Sequence, residues 1–368
     1  MSSDTQDVSV AKALRLSAVV PARNEERALG ECLESLVGQS EPGFALGVQW
    51  ELIVVDDDST DGTRGIAEAI RDEAGAGGSH LVDAGVVVME APALDLSERG
   101  GFTGKTNACW AGVQRARGAW LLFTDADTVH EPGDLSRAMH EAEKYKVALL
   151  SYSPRQIVQG FWQRAVMPLV FSELASVYPP KEVSDPVSRL AAANGQFLLV
   201  EREAYFAVGG HRGVGQEILE DVALARKFKR AKYGIRFRYA PEALAARMYR
   251  TLPEMVEGWT KNLALLFPSP VLRASMLTLQ FCLFFGLPLL AWGMPLLVPL
   301  QRWAILLVWL RATWSFYRRA GRSHFPAADV AISILGVPMF CWLLVRSYFK
   351  HRVSKSVGWK GRSYKTGR

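Results

Sequence analysis

The sequence predicts an α/β chain: a mostly parallel sheet flanked by helices, followed by C-terminal apolar helices suited to a membrane. Three observations point there. Short apolar runs alternate with helical periodicity through residues 16–124, two of those runs end in clustered acids, and the composition turns apolar and cationic towards the C-terminus. Strands alternating with helices give a parallel sheet covered on both faces.

LSAVVP at 16–21 reads as the first strand, ended by proline. Behind it Leu29, Cys32, Leu33, Leu36 and Val37 recur at helical spacing, with Asn24 placed to cap. WELIVVD at 50–56 is a second buried strand, followed by a polar turn at 57–62, a helical stretch to about 73, and a third strand, GVVVME, at 85–90. Residues 74–80, AGAGGSH, read as a flexible connection, whereas Gly100, Gly101 and Gly104 precede a helix near 105–117 and stand where a backbone must approach something closely. AWLLFT at 119–124 is a fourth buried strand and runs directly into DAD. Beyond Leu150 the alternation loosens. Residues 157–180 mix aromatics with two charges, Arg164 and Glu173, and fit either an interfacial element or an ordinary apolar wall.

Charge is distributed unevenly. From Lys261 onward there are 15 Lys or Arg against one acid, Asp329, a balance of +14; the other 28 bases and 36 acids leave residues 1–260 at −8. A cationic tail that is also the most apolar part of the chain describes a bilayer anchor and excludes a nucleic-acid surface. Residues 275–300 carry no charged side chain, enough to cross about 30 Å of hydrocarbon. Trp303–Tyr317 is shorter and interrupted by Arg311, and 327–345 is apolar apart from Asp329, so three segments are expected near 275–300, 303–317 and 327–345. Three full crossings leave either the RRAGRSH loop at 318–324 or the basic end after Arg346 on the wrong side of the positive-inside rule. One segment, the one broken by Gly336 and Pro338 being the first choice, is therefore expected to be re-entrant or interfacial. Cys32, Cys109, Cys282 and Cys341 are scattered too widely for a zinc clip or redox motif. The first fifteen residues lack the pattern of a secretory signal. The expected location is the inner (cytoplasmic) membrane, multi-pass, with the large domain facing the cytoplasm.

In open α/β sheets ligands bind beyond the carboxyl ends of the strands, which is where the acids at 56–58 and 125–127 fall. Asp125 and Asp127, one residue apart on an extended strand end, can face one crevice and hold an oxygen-preferring cation, Mg²⁺ or Mn²⁺; such a cation neutralises a leaving diphosphate. In VVDDDSTDGT, Asp56 and Asp57 suit a nucleotide, while Asp58, Ser59 and Asp61 suit helix capping. Lys105 opens a helix behind glycines and either meets phosphate or is an ordinary helix-start lysine; the Walker spacing is absent. Glu220 and Asp221 favour a helix dipole, and Asp221 also suits a general base. Trp259 is placed either to stack on a sugar or acceptor, or to anchor at an interface.

Taken in order, PARNEE, VVDDDSTDGT, GKTNACWAG, TDAD, ANGQFLLV and LEDVALARKFK resemble the glycosyltransferase family 2 pattern over roughly residues 14–262. The resemblance implies a GT-A fold and inverting, metal-assisted transfer of a hexose, most simply from a UDP-sugar. It implies nucleotide-sugar contacts at Pro21, Arg23, Glu25, Asp56, Asp57, Lys105 and Asp125, metal ligation by Asp125 and Asp127, Asp221 as base, and an acceptor side of Asn194, Gly195, Glu220, Trp259 and Lys261. Within the family the chain is most similar to membrane enzymes associated with hopanoid biosynthesis and to relatives acting on carotenoids and ceramide, through GKTNACWAG, LEDVALA, the RMY…GWTKN stretch and GWKGRSY. The QxxRW element of processive synthases is missing: the corresponding region reads EGWTKN, and the Gln-Arg-Trp at 301–303 has the wrong spacing. That departure favours one sugar per acceptor over a polysaccharide synthase with a translocating pore; transfer to a lipid hydroxyl is the leading expectation, and a polyprenyl-phosphate glycosyltransferase stays open as the other single-transfer alternative. The expected organisation is a tail at 1–13, a catalytic domain at 14–265, a membrane region at 266–349 and a basic cytoplasmic tail at 350–368.

Overall fold

A computed structural model describes residues 14–39, 41–76, 85–94, 102–294 and 297–365. The expected tail at 1–13 and Gly100 and Gly101 lie outside the described residues. In chain order the elements are β1 (Leu16–Ala22), α1 (Leu29–Val37), β2 (Trp50–Asp56), α2 (Thr63–Ala76), β3 (Val86–Glu90), α3 (Gly104–Arg115), β4 (Trp120–Phe123), β5 (Thr128–His130), α4 (Asp134–Tyr145), β6 (Leu149–Ser153), β7 (Arg155–Gln156), α5 (Gly160–Val177) and α6 (Pro180–Ser184). They continue with β8 (Leu198–Glu201), α7 (Arg202–Ala207), a 3₁₀ turn (His211–Val214), α8 (Glu220–Arg230), β9 (Ile235–Tyr239), β10 (Leu244–Ala246), α9 (Leu252–Leu266), α10 (Pro270–Gly293), α11 (Pro299–Ala320), α12 (Ala327–Phe349), β11 (Ser356–Trp359) and β12 (Arg362–Lys365). Residues 74–76, expected in a flexible connection, instead finish α2.

The chain divides into two compact units that do not follow the boundary expected at residue 265. The first draws on residues up to Leu150 together with Gly195–Gly215, the second on Ser151–Asn194 together with residues from Gln216 onward.

In the first unit the strands run in the order β3-β2-β1-β4-β8. The β1–β2, β1–β4 and β2–β3 pairs are parallel and β4–β8 is antiparallel, so the mostly parallel sheet is present. Every residue of β2 is buried, the signature of a strand covered on both faces. Helix α3 lies so close that a Cβ on Gly112 would come within 2.6 Å of Val19 Cγ1 and 3.1 Å of Val55 Cγ2; glycine is required there for the approach.

The second unit is built around α5, α9 and α12, whose apolar faces meet through Val166, Val170, Trp259, Leu263, Phe340 and Leu344. Full burial of such side chains stabilises by about 1.5–3 kcal/mol each. Helices α5 and α12 touch backbone to backbone, since a Cβ on Gly336 would lie 2.3 Å from the Ala165 carbonyl oxygen. Among the described residues two helices, Pro270–Gly293 and Ala327–Ser354, are long and apolar enough to cross a membrane; α11, the middle segment interrupted by Arg311, does not reach that mark. Residues 350–365, expected only as a basic tail, fold into a π-helical turn and the antiparallel β11–β12 hairpin. Lys261 Nζ sits 4.5 Å over the Trp359 ring of that hairpin.

Candidate active site

The first unit brings the expected acids to one end of neighbouring strands. Ala22 of β1 is in register with Asp56 of β2, and the amide of Asp57 donates to the Ala22 carbonyl at 2.8 Å. On the other side of β1, Val19 pairs with Phe123, and the Thr124 amide follows it at 3.2 Å, delivering Asp125 and Asp127 to the same carboxyl end. Asp56 and Asp57 are buried, and Asp125 and Asp127 are half-buried.

Residues 23–26 and 57–63 are zipped together. Arg23 Nη1 donates to the carbonyls of Asp57 and Asp58 at 2.5 and 2.7 Å and pairs with the Asp58 carboxylate at 3.3 Å. The Asn24 side-chain oxygen accepts from the Thr60 amide at 2.9 Å, and the Glu25 amide donates to the Thr63 hydroxyl at 2.7 Å. Asn24 therefore does not cap α1, whose N-cap is Ala28 without a side-chain bond; its amide is spent across the crevice rim. At the start of α2 Asp61 serves as expected: it accepts from the Thr63 amide and hydroxyl at 3.0 and 2.5 Å. Burial works against its charge, but these bonds and one from the Glu26 amide hold its carboxyl below the usual range. Ser59 instead accepts from the Asn24 amide at 3.1 Å.

Beneath the DAD loop lies a polar network that the sequence reading missed. The Thr128 hydroxyl donates to the Asp125 carbonyl at 2.7 Å. His130 Nε2 stands 3.0 Å from the Thr124 hydroxyl and 3.3 Å from that of Thr128, and its Nδ1 lies 2.8 Å from Asp134 Oδ2, all four groups being buried. Helix α1 and the residues just past its end secure the same loop: Cys32 Sγ is 3.6 Å from the Asp125 carbonyl, Ser35 accepts from the His130 amide at 3.0 Å, and Gln39 donates to the Glu131 carbonyl at 2.9 Å. The readable signal was the three- and four-residue spacing of Cys32, Ser35 and Gln39, opposite alternating Thr128 and His130. Burial pushes the Cys32 thiol up to about 12, with the charges of Asp127 and Asp125 adding to it and the Thr128 bond opposing, so no thiolate is present here.

Lys105 occupies the first turn of α3, which is capped by reciprocal bonds between Thr103 and Thr106. Its Nζ lies 2.7 Å from Asp125 Oδ1, with the two side chains 35% and 29% exposed. Asp125 and Asp127 offer only oxygen, and among the described residues no cluster of three His, Cys, Asp or Glu could hold an ion by itself. A carboxylate pair of this kind fits Mg²⁺ or Mn²⁺, which keep waters and complete their shell with substrate phosphate oxygens.

Pro21, Arg23, Glu25 and Gly195 also belong to the first unit, whereas Asn194, Glu220, Asp221, Trp259 and Lys261 belong to the second. Asn194 exchanges bonds with Ser151, its amide donating to the hydroxyl at 2.8 Å. Glu220 and Asp221 open α8 as expected, and Asp221 Oδ1 accepts from the Val222 amide at 2.7 Å. Tyr178 is bonded to Arg226; burial raises its phenol, Arg226 opposes and the charge of Asp221 adds. The expectation for Trp259 is corrected: its ring is 2% exposed, its N–H donates to Met167 Sδ at 3.3 Å, and Phe171 and Tyr249 pack against it. A ring enclosed in this way neither stacks on a sugar nor reaches a membrane interface. Lys261 Nζ lies over the Trp359 ring.

The family model described as "Glycosyl transferase family 2" matches residues 17–223, more than half of the chain. The chain is similar to the 4,4'-diaponeurosporenoate glycosyltransferase of Staphylococcus aureus strain MRSA252, 29% identical over 256 residues that cover 68% of this chain and 60% of that protein. The protein of the same name from strain USA300 is 28% identical over 257 residues, with the same coverage. The chain thus spans about 60% of the length of the curated relatives it matches. A mannosyltransferase from Pyrobaculum calidifontis, solved with GDP-Man and Mn²⁺, shares the fold at a TM-score of 0.54 with 17% identity, covering 93% of this chain and 88% of that one.

Proposed function

Because the chain belongs to glycosyl transferase family 2, we propose that it is a membrane glycosyltransferase moving a single hexose from a nucleotide-sugar, in the first instance a UDP-sugar, to a hydroxyl of a lipid-type acceptor such as a hopanoid, carotenoid or sphingolipid, with inversion. It works on the cytoplasmic face of the inner membrane as a multi-pass protein.

The observation that carries this reading is the Lys105–Asp125 pair at 2.7 Å, at the strand ends where Asp56 and Asp57 are also gathered. A cation beside carboxylates at the mouth of a sheet crevice suits a donor whose leaving group is a diphosphate. In the proposal Asp56 and Asp57 hold the nucleoside, with Pro21, Arg23 and Glu25 forming the rim, and Lys105 meets the diphosphate. Asp125 and Asp127 would hold a divalent cation that neutralises the departing charge. Asp221 takes the proton from the attacking hydroxyl, and Asn194, Gly195, Glu220 and Lys261 serve the acceptor side. The name of the curated relatives, for a carotenoid-type substrate, supports a lipid acceptor, and the apolar helices beyond residue 270 supply the setting in which a soluble donor meets an insoluble acceptor.

Membranes bearing the chain, incubated with radiolabelled nucleotide-hexoses, are expected to yield one labelled small lipid. A labelled polymer would rule out single addition, and no product from any nucleotide-hexose, GDP-mannose included, would rule out transfer. Asp221→Asn is expected to abolish turnover if the acceptor is an alcohol. Substantial retained activity means that the acceptor is already an oxyanion, such as a polyprenyl phosphate.

A further inference from the structure

Helix α12 is fastened at both ends to parts of the second unit that precede α10. At its N-terminal end His324 stacks on Tyr239 of β9, ring centroids 4.1 Å apart, and Asp329 accepts from Arg164 of α5 at 2.6 Å. At its C-terminal end Arg346 donates to the Thr260 hydroxyl at 3.1 Å, Ser347 donates to the Thr260 carbonyl at 2.7 Å, and His351 Nε2 lies 2.8 Å from the Lys261 carbonyl. Between Tyr239 and Lys261 the chain carries Glu242, Arg247, Arg250, Glu254 and Glu257 and no long apolar run, so it does not cross hydrocarbon. Tyr239 and Lys261 therefore lie on one side of a bilayer, and both ends of α12 lie there with them. A helix of 23 residues, about 35 Å long, cannot span with both ends on one side.

Helices α10 and α11 have the opposite character. Only 17% of the apolar window of α10 is buried, against 50% for α12, and Leu272, Met276, Leu279, Leu289 and Trp292 are exposed. Along α11, Leu300, Trp303, Leu307, Leu310 and Trp314 repeat at alternating three- and four-residue steps and are each more than half exposed, one continuous apolar stripe. The two helices are pinned together: Trp309 donates to the Phe284 carbonyl at 2.8 Å, and Gln280 to the Ala312 carbonyl at 3.3 Å. With α10 starting and α11 ending on the side where α12 is held, the pair must enter and leave by the same face.

We infer that α10 and α11 form a membrane-crossing hairpin whose exposed apolar faces take the lipid bilayer as their partner, while α12 stays at the membrane surface on the side of the sugar-transfer domain. At about 36 and 33 Å, the two helices exceed the roughly 30 Å of hydrocarbon. Residues 270–326 contain six arginines and no acid, matching anionic headgroups. Arg318, Arg319 and Arg322 at the base of α11, and the cations from Arg346 to Lys355, then fall on one side, as the positive-inside bias requires and three crossings do not allow. The inference rests on the proposed function only in naming that side the catalytic one.

The test places single cysteines in a Cys282→Ser background at three exposed positions, Met294, Arg322 and Ser354, and labels sealed vesicles of both orientations with a membrane-impermeant maleimide. No transfer activity is needed for the readout, so a failed transfer reading leaves it intact. Arg322→Cys and Ser354→Cys are expected to label from the same face and Met294→Cys from the opposite one. Labelling of Arg322→Cys and Ser354→Cys from opposite faces would overturn the placement of α12, and labelling of all three from one face would overturn the crossing hairpin. On the unaltered chain, trypsin should cut after Arg322 and Arg352 from the same face; cleavage from opposite faces would overturn the inference independently of any variant.

Discussion

Replacing Lys105 by methionine keeps most of the stem and removes the ammonium 2.7 Å from Asp125. Because both side chains are about a third exposed, water screens the pair and it contributes about 0–1 kcal/mol to stability. The melting temperature should therefore fall by less than about 4 °C. Turnover is expected to respond far more strongly, since loss of one preorganised donor to developing charge costs about 10²–10³ in rate, roughly 3–4 kcal/mol. The loss belongs mainly in kcat, because negative charge on the diphosphate grows as the glycosidic bond breaks. The assay is initial-rate transfer of label in reconstituted membranes at varied donor concentration, with thermal unfolding measured on the same samples. Lys105→Arg, which keeps the charge and changes its geometry, should fall between methionine and the natural residue. A methionine variant within threefold of the natural chain in kcat/KM would refute the reasoning and make Lys105 a helix-start lysine that only steadies Asp125. A drop of more than about 10 °C in melting temperature would refute it differently, by making the pair structural.

Three further outcomes are expected. Nucleotide with Mn²⁺ at about 100 times its Kd should stabilise the natural chain by roughly 2.7 kcal/mol, and a chain with Asp125→Asn and Asp127→Asn should lose the Mn²⁺-dependent part; an unchanged thermal shift would remove these residues from the metal site. Trp259→Ala should destabilise by about 3–5 kcal/mol, whereas Trp259→Phe should leave the acceptor KM within twofold, a larger rise returning the ring to acceptor binding. The Cys32 thiol, pushed up to about 12 from an ordinary value near 9, should resist maleimide at pH 8 until the chain unfolds. Its contribution to stability is fully present below pH 9 and is lost as pH rises towards 12. Comparison with Cys32→Ala over that window checks the sign: the natural chain should lose more stability than the variant.

The sheet of the first unit was legible because its strands are continuous apolar runs, and a strand that reads LIVV or WLLF without alternation has no other place than the middle of a covered sheet. The acids were legible for the same reason, since Asp56 and Asp125 are the first charged positions after those runs. Asn24 was misread because a polar residue ahead of an apolar-periodic stretch has the composition of a cap, while its actual partner, Thr60, is 36 residues away and depends on how two strand ends adjoin. Trp259 was misread because EGWTKN carries polar neighbours on both sides; the face that covers it comes from α5, far along the chain. The Asp134–His130–Thr128 network went unseen because each member taken singly is an ordinary turn or helix-start residue, and its meaning lies in burial.

The interleaving of the second unit has a practical consequence for anyone wanting a soluble fragment. A chain stopped at 265, the boundary that composition suggests, loses α12 and strips the cover from Val166, Val170, Leu263 and Trp259, which share its core. Such a fragment trades its greasy anchor for a freshly opened wound of comparable stickiness, and aggregation is its natural fate. Detergent or nanodisc preparations that keep residues 266–349 are the better material for crystallography and kinetics alike.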